Sequence, residues 1–179
     1  MREFHTIELD GKLYNGILID ATSIVNFHFE DWFQSICPKL QKNELTVSVP
    51  HAALCHLEKW SMTESFDRAK RAAIARNALM RFAEKGFVTF VGDCDAMVSA
   101  VILEEVMRIK TAQKKALVIT QDAQLAKDVI MTNYFTSAFS PAANVKRINT
   151  FAALEHFNLS RQQTQHPASE ALINKFRRF

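Results

Sequence analysis

The chain has only four Gly and four Pro in 179 residues. That excludes a loop-rich or low-complexity polypeptide, and it leaves no glycine-rich phosphate loop or dinucleotide fingerprint. Cysteine is scarce and odd in number. Cys37, Cys55 and Cys94 show no CxxC and no paired spacing, which argues against a disulfide framework and predicts buried, inert thiols in a reducing compartment. No window approaches the roughly eighteen unbroken apolar residues of a membrane span, and the opening MREFHTIELDGK has no apolar signal core. A soluble cytoplasmic protein with no membrane attachment is expected. Neither sign of charge dominates: 22 Lys and Arg face 19 Asp and Glu, for a net +3. This balance permits an anionic partner without demanding one. What the chain does have is apolar content, 48%, ample for one sizeable core.

That apolar content is organised. GILID (16–20), LTVSV (45–49), FVTFV (87–91), ALVIT (116–120) and NVKRI (144–148) read as strands. Helical patterns separate them. Such alternation predicts an α/β fold: a three-layer α/β/α arrangement around a central, mostly parallel, five-stranded sheet. Asp10-Gly11 marks a short N-terminal hairpin. A helical run from Ile24 to Cys37 is expected to stop at Pro38, and Pro50 suits the first turn of the helix HAALCHLEKW. Ser61-Met62-Thr63-Glu64 has the form of a capping box. It would open a long helix to about Lys85 with Phe66, Ala69, Ala73, Leu79 or Met80, and Ala83 on its apolar side. Further helices are expected over 96–110 and 123–131, and Thr150 is placed to cap a last short one, FAALEHF. The boundaries that follow are a single domain over 1–159, with its core at 16–150, and a basic C-terminal tail over 160–179 that ends in a helical amphipathic piece, ALINKFRRF.

Acids sit where the strands end. Asp20 closes GILID, Asp93 and Asp95 follow FVTFV, Asp122 follows ALVIT, and Glu58 lies on the helix after VSVP. In open α/β sheets that edge binds ligands. Singly, Asp95 and Asp122 are ordinary helix caps and Glu58 an ordinary surface acid. Asp20 is harder to dismiss, because a buried strand end needs a reason to keep a carboxylate. Several carboxylates brought together repel unless a cation joins them. Oxygen ligands favour Mg²⁺ or Mn²⁺, which activates water and neutralises phosphate. His51, Cys55 and Cys94 raise a zinc alternative, but no compact pair-of-pairs spacing supports it.

Four pieces, ILIDATSI, VPHAALCHLEKW, GDCDAMV and LVITQDAQLA, taken in order over about residues 16–131, resemble the PIN-domain family of metal-dependent nucleases. The most specific is LVITQDAQLA, with its strand, Thr, any residue, Asp and helix. The first piece departs from the pattern, having Ala21 and Thr22 where the family usually has Thr and then Asn or Ser. The resemblance implies a divalent-metal-dependent endoribonuclease with Mg²⁺ or Mn²⁺ as cofactor and RNA as partner. Asp20, Asp95 and Asp122 would form the metal site, with Asp93 as a second candidate beside Asp95, and Glu58 would orient the attacking water. Thr120 and either Thr22 or Ser23 would hold the carboxylates. The pairs Arg68 and Arg71, and Arg81 and Lys85, are candidates for tracking phosphates, although a solvated helix face explains most such charges. RNA processing or decay and a toxin role with an antitoxin partner both suit the family, as does a homodimer. The alternatives are a catalytically weak PIN-like module that binds RNA or protein, and another doubly wound domain with an acidic pocket.

Overall fold

The computed structural model describes residues 5–135 and 140–157; the basic tail expected over 160–179 lies outside them. A hairpin leads the chain. β1 (Ile7–Leu9) and β2 (Lys12–Tyr14) pair antiparallel with Leu9 opposite Lys12. Between them Asp10 and Gly11 take φ of 49° and 70°, the left-handed pair that a two-residue hairpin turn requires. Ile7, Leu9 and Tyr14 are buried against the main body, and buried Lys146 donates to the Asp10 carboxylate.

The main sheet has the order β5-β4-β3-β6-β7-β8. Its strands are β3 (Gly16–Ile19), β4 (Val47–Pro50), β5 (Val88–Val91), β6 (Ala116–Ile119), β7 (Asn144–Ile148) and β8 (Leu154–His156). The first five in chain order are parallel, and β8 runs antiparallel to β7. On one face lie α1 (Ala21–Ile24), α2 (Phe29–Lys42), α3 (His51–Thr63) and α4 (Phe66–Glu84). On the other lie α5 (Val98–Thr111) and α6 (Ala123–Phe135). The two-residue period of the strands divides the core accordingly. Ile17, Ile19, Leu117 and Ile119 pack with the first set of helices, whereas Leu18, Ala116 and Val118 pack with the second. Cover on both faces explains why these strands read as unbroken apolar runs. The chain proceeds outward from β3 through β4 to β5, and α5 then carries it back to β6 on the other side of β3. That reversal makes a switch point between β3 and β6.

Several local expectations fail, each for a physical reason. The sheet has six strands rather than five, because FAALEHF does not form a helix. The side chain of Asn149 accepts from the amides of Phe151 and Ala153, Ala152 takes φ 54°, and the chain turns back to pair Leu154 with Ile148. An Asn that offers its oxygen to nearby amides is a turn former, and here it overrides the capping potential of Thr150. The run from Ile24 breaks near Asn26, whose side chain accepts from the His28 amide and donates to Ile148 O. Pro38 lies inside α2 instead of ending it. Phe29, Trp32, Phe33, Ile36 and Leu40 form one buried face across it. Their burial, about 1.5–3 kcal/mol each, outweighs the roughly 3 kcal/mol of an interior proline.

Ser61 opens no helix. It sits within α3, where its hydroxyl donates to Glu58 O, and α4 begins only at Phe66. Its buried stripe is Ala72, Ala75, Ala78, Leu79 and Phe82, and Phe66 is exposed. The small alanines let α4 pack closely, and the buried face carries Leu79 and Phe82 rather than Phe66. The cysteine expectation is overturned as well. Cys55 and Cys94 form a disulfide across a Cα–Cα distance of 6.0 Å, leaving Cys37 as the free thiol. One follows β4 and the other follows β5, so neighbouring strands bring together residues that no local spacing connects. The pairing also removes both sulfurs as zinc ligands. No described helix is long and apolar enough to cross a membrane.

Candidate active site

Asp20 stands just past the C-terminal end of β3 and caps α1. Its Oδ1 accepts from the Ser23 amide at 3.0 Å. Its Oδ2 accepts from Thr22 Oγ1 at 2.6 Å and Thr120 Oγ1 at 2.8 Å. Each hydroxyl is itself engaged from behind: the Gln121 amide donates to Thr22 Oγ1 at 3.0 Å, and the Asp122 amide to Thr120 Oγ1 at 2.9 Å. A hydroxyl that accepts an amide proton still has its own proton to give, so both protons are directed at Asp20. The network therefore suits an ionised carboxylate. Burial works against it. Asp20 is 2% exposed, and desolvation pushes its carboxyl above the ordinary range while the bonds from Thr22, Thr120 and Ser23 pull it back. Thr22 supplies the hydroxyl bond; Ser23 contributes its amide, and its own buried Oγ makes no hydrogen bond within normal geometry among the described residues.

Asp122 lies across the switch point, tied to Asp20 through Thr120. It is exposed, and its Oδ1 accepts from the amides of Gln124 at 2.7 Å and Leu125 at 3.1 Å, capping α6. Glu58 is engaged from α4, where Arg76 grips its Oε1 through Nε at 3.0 Å and Nη2 at 2.8 Å. Asp93 and Asp95 are exposed on the connection after β5, and in the sheet β4 separates that strand from β3. Gly92 shapes the connection with φ +69°; a Cβ there would lie 2.8 Å from Val101 Cγ2. Among the described residues no group of three or more His, Cys, Asp or Glu is arranged to hold a metal ion. The switch point thus joins Asp20 to Asp122, but not all of the expected acids into one cage.

The expected basic pairs divide. Arg68 is 3.7 Å from Glu64, and Arg81 donates to Glu30 at 2.6 Å. Lys85 caps the C-terminus of α4. The Arg71 guanidinium lies 3.8 Å from the centre of the Phe27 ring.

No protein-family model matches the chain, and no curated protein matches it in sequence. A solved structure of the PIN domain endonuclease Utp24 matches it with a TM-score of 0.50, covering 79% of this chain and 92% of that one at 15% identity. The fold is PIN-like. At that identity the likeness is one of fold alone.

A PIN-like fold raises the question of a divalent cation. A carboxylate offers about four lone-pair directions. Asp20 commits three, and Asp122 commits Oδ1 while its Oδ2 takes no hydrogen bond among the described residues. Hard oxygens with capacity to spare fit a Mg²⁺ or Mn²⁺ ion that keeps waters and binds one or two carboxylates. They do not fit a cage of three or four protein ligands. Sequence reasoning missed two features of this region: the Arg76 partner of Glu58, 18 residues away, and the part played by Gln121. Neither has a local signal, since both contacts depend on how elements pack.

Proposed function

We propose that the protein is a divalent-metal-dependent endoribonuclease that hydrolyses RNA phosphodiester bonds, with Asp20 and Asp122 at its centre. The observation that carries this reading is the network joining Asp20, Thr120 and Asp122 across the β3–β6 switch point. There a buried carboxylate accepts three hydrogen bonds, and one of its partners also takes the amide of exposed Asp122, at the edge where open sheets bind ligands. Asp20 and Asp122 would hold a Mg²⁺ or Mn²⁺ ion. When bound, that ion supplies acidity to a water and neutralises charge on a phosphate oxygen. Thr22 and Thr120 fix the Asp20 carboxylate, and through their other lone pairs they fix the Gln121 and Asp122 amides. Asp95, or Asp93 beside it, would add negative charge from the β5 side. Processing, decay and a toxin role are different settings for the same chemistry.

The test is to incubate the protein with single-stranded and structured RNA, with Mn²⁺ or with chelator. Cleavage is expected only with the metal, and Asp20→Asn is expected to slow it by about 100-fold or more. Parent protein that leaves RNA intact, or an Asp20→Asn variant as fast as the parent, overturns the reading.

One pair of observations favours a second reading, a PIN-like module that binds RNA or protein with little catalysis: the grip of Arg76 on Glu58 and the lack of a three-ligand group among the described residues. Calorimetry separates the two. RNA binding with no heat of Mn²⁺ binding favours the module.

A further inference from the structure

Beside the acid site, between the α1–α2 connection and α4, lies a hollow of about 430 Å³, within the size range of small-ligand sites. Its position relative to the site follows from two hydrogen bonds to one acceptor. Asn26, on its wall, donates to Ile148 O at 3.4 Å, and Gln121, next to Asp122, donates to the same oxygen at 3.2 Å. Phe27 stands at the rim, 73% exposed, with the Arg71 guanidinium over its ring. Exposed Ile74 and buried Ala75 supply an apolar wall. A second hollow of about 310 Å³ shares Val25 and Arg71 and adds Trp60 and Arg68.

The charges decide what this surface suits. Glu30 is neutralised by Arg81, and Glu64 faces Arg68. Lys70 and Arg71 have no ion pair among the described residues, and Asp67 is the one acid of the first hollow without a counter-charge there. Two free cations beside a solvent-facing aromatic ring form the arrangement that binds single-stranded nucleic acid: a base stacks on the ring and basic groups follow the phosphates. Arg71 covers one face of Phe27, which leaves the other for a base and strengthens the platform by its cation–π contact.

We propose that this groove binds a single strand of RNA, with one base stacked on Phe27 and the adjoining phosphates on Arg71 and Lys70, and leads the strand toward Asp20 and Asp122. The proposal rests on the reading that the acid site acts on RNA, and it adds a preference for unpaired strands. A duplex keeps its bases stacked inside and cannot offer one to Phe27.

The probe is a fluorescein-labelled oligouridine of about 12 nucleotides, a length within single-strand site sizes, followed by fluorescence anisotropy in chelator so that no cutting occurs. The parent is expected to bind it more tightly than the matching duplex. Phe27→Ala should weaken binding by about tenfold or more, and Phe27→Trp should preserve it. Arg71→Ala should weaken it and lower the salt slope by about one. Asp67→Asn should tighten it. Thermal melts confirm that each variant folds, as expected where Phe27 is so exposed. Parent that does not bind the strand, as for a surface that takes a protein instead, overturns the proposal; so does Phe27→Ala that binds like the parent, or equal affinity for duplex. The two readings fail separately. Parent and Asp20→Asn that bind through Phe27 while neither cuts refute the nuclease reading alone. Parent that cuts while Phe27→Ala binds and cuts equally well refutes the groove alone.

Discussion

Replacing Thr120 by Val tests the central network most directly. Val keeps the shape of the side chain and removes its hydroxyl, at a residue that is 0% exposed. Two bonds go: the one given to Asp20 Oδ2 at 2.8 Å and the one taken from the Asp122 amide at 2.9 Å. A hydrogen bond to a buried charged group contributes about 1.5–3 kcal/mol. The Asp122 amide is less enclosed and recovers part of its loss from water. A destabilisation of about 2–3 kcal/mol is expected, or about 4–12 °C in melting temperature for a chain of this size. The loss should also depend on pH. Burial raises the folded-state pKa of Asp20 above its ordinary 3.8, so the native state holds that proton to higher pH than the unfolded chain does. Stability from this group is therefore greatest in acid and falls as pH rises through the folded value. Thr120→Val removes a bond that favours the charged form, which raises the folded pKa further and deepens the fall. Urea unfolding followed by tryptophan fluorescence should show a larger gap between parent and variant at about pH 8 than at about pH 5. Thr120→Ser, which keeps the hydroxyl, should lose less. A Val variant within about 0.5 kcal/mol of the parent, or a gap that does not change with pH, would refute the reasoning.

Other expectations follow from single contacts. Glu58→Gln should leave RNA cleavage within about threefold of the parent, because Arg76 already engages the Glu58 carboxylate. The pair is over a third exposed on both sides, so stability should change by less than about 1 kcal/mol. Asp10→Asn strips the counter-charge from Lys146, which is 3% exposed. A loss of about 1–3 kcal/mol in urea unfolding is expected, since one partner is only half-buried; an unchanged midpoint would refute the anchoring role of the hairpin. Unreduced protein unfolded in denaturant should alkylate at Cys37 alone and, after reduction, at all three cysteines. Reduction should cost about 2–4 kcal/mol, given a closed loop of 39 residues. Three alkylations before reduction would remove the disulfide.

The sequence by itself determined the layered α/β fold, the five parallel strands and the Asp10-Gly11 turn. Those features are local or periodic: a strand covered on both faces must be apolar throughout, and a left-handed turn must be filled by residues that tolerate it. It also placed Asp20 and Asp122 at strand ends, but that those two strands are neighbours came from the sheet order. Only the tertiary structure decided which hydroxyl holds Asp20, that Glu58 turns to Arg76, that Cys55 meets Cys94, and that Asn149 folds the last segment back as a sixth strand. Each of these depends on a contact between side chains or on one local bond outcompeting another. The buried stripe of α4 shows the same limit. The sequence pattern put Phe66, Ala69 and Ala73 on its apolar side, but the face that meets the core is Ala72, Ala75, Ala78, Leu79 and Phe82, because what a helix buries is set by the surface it meets.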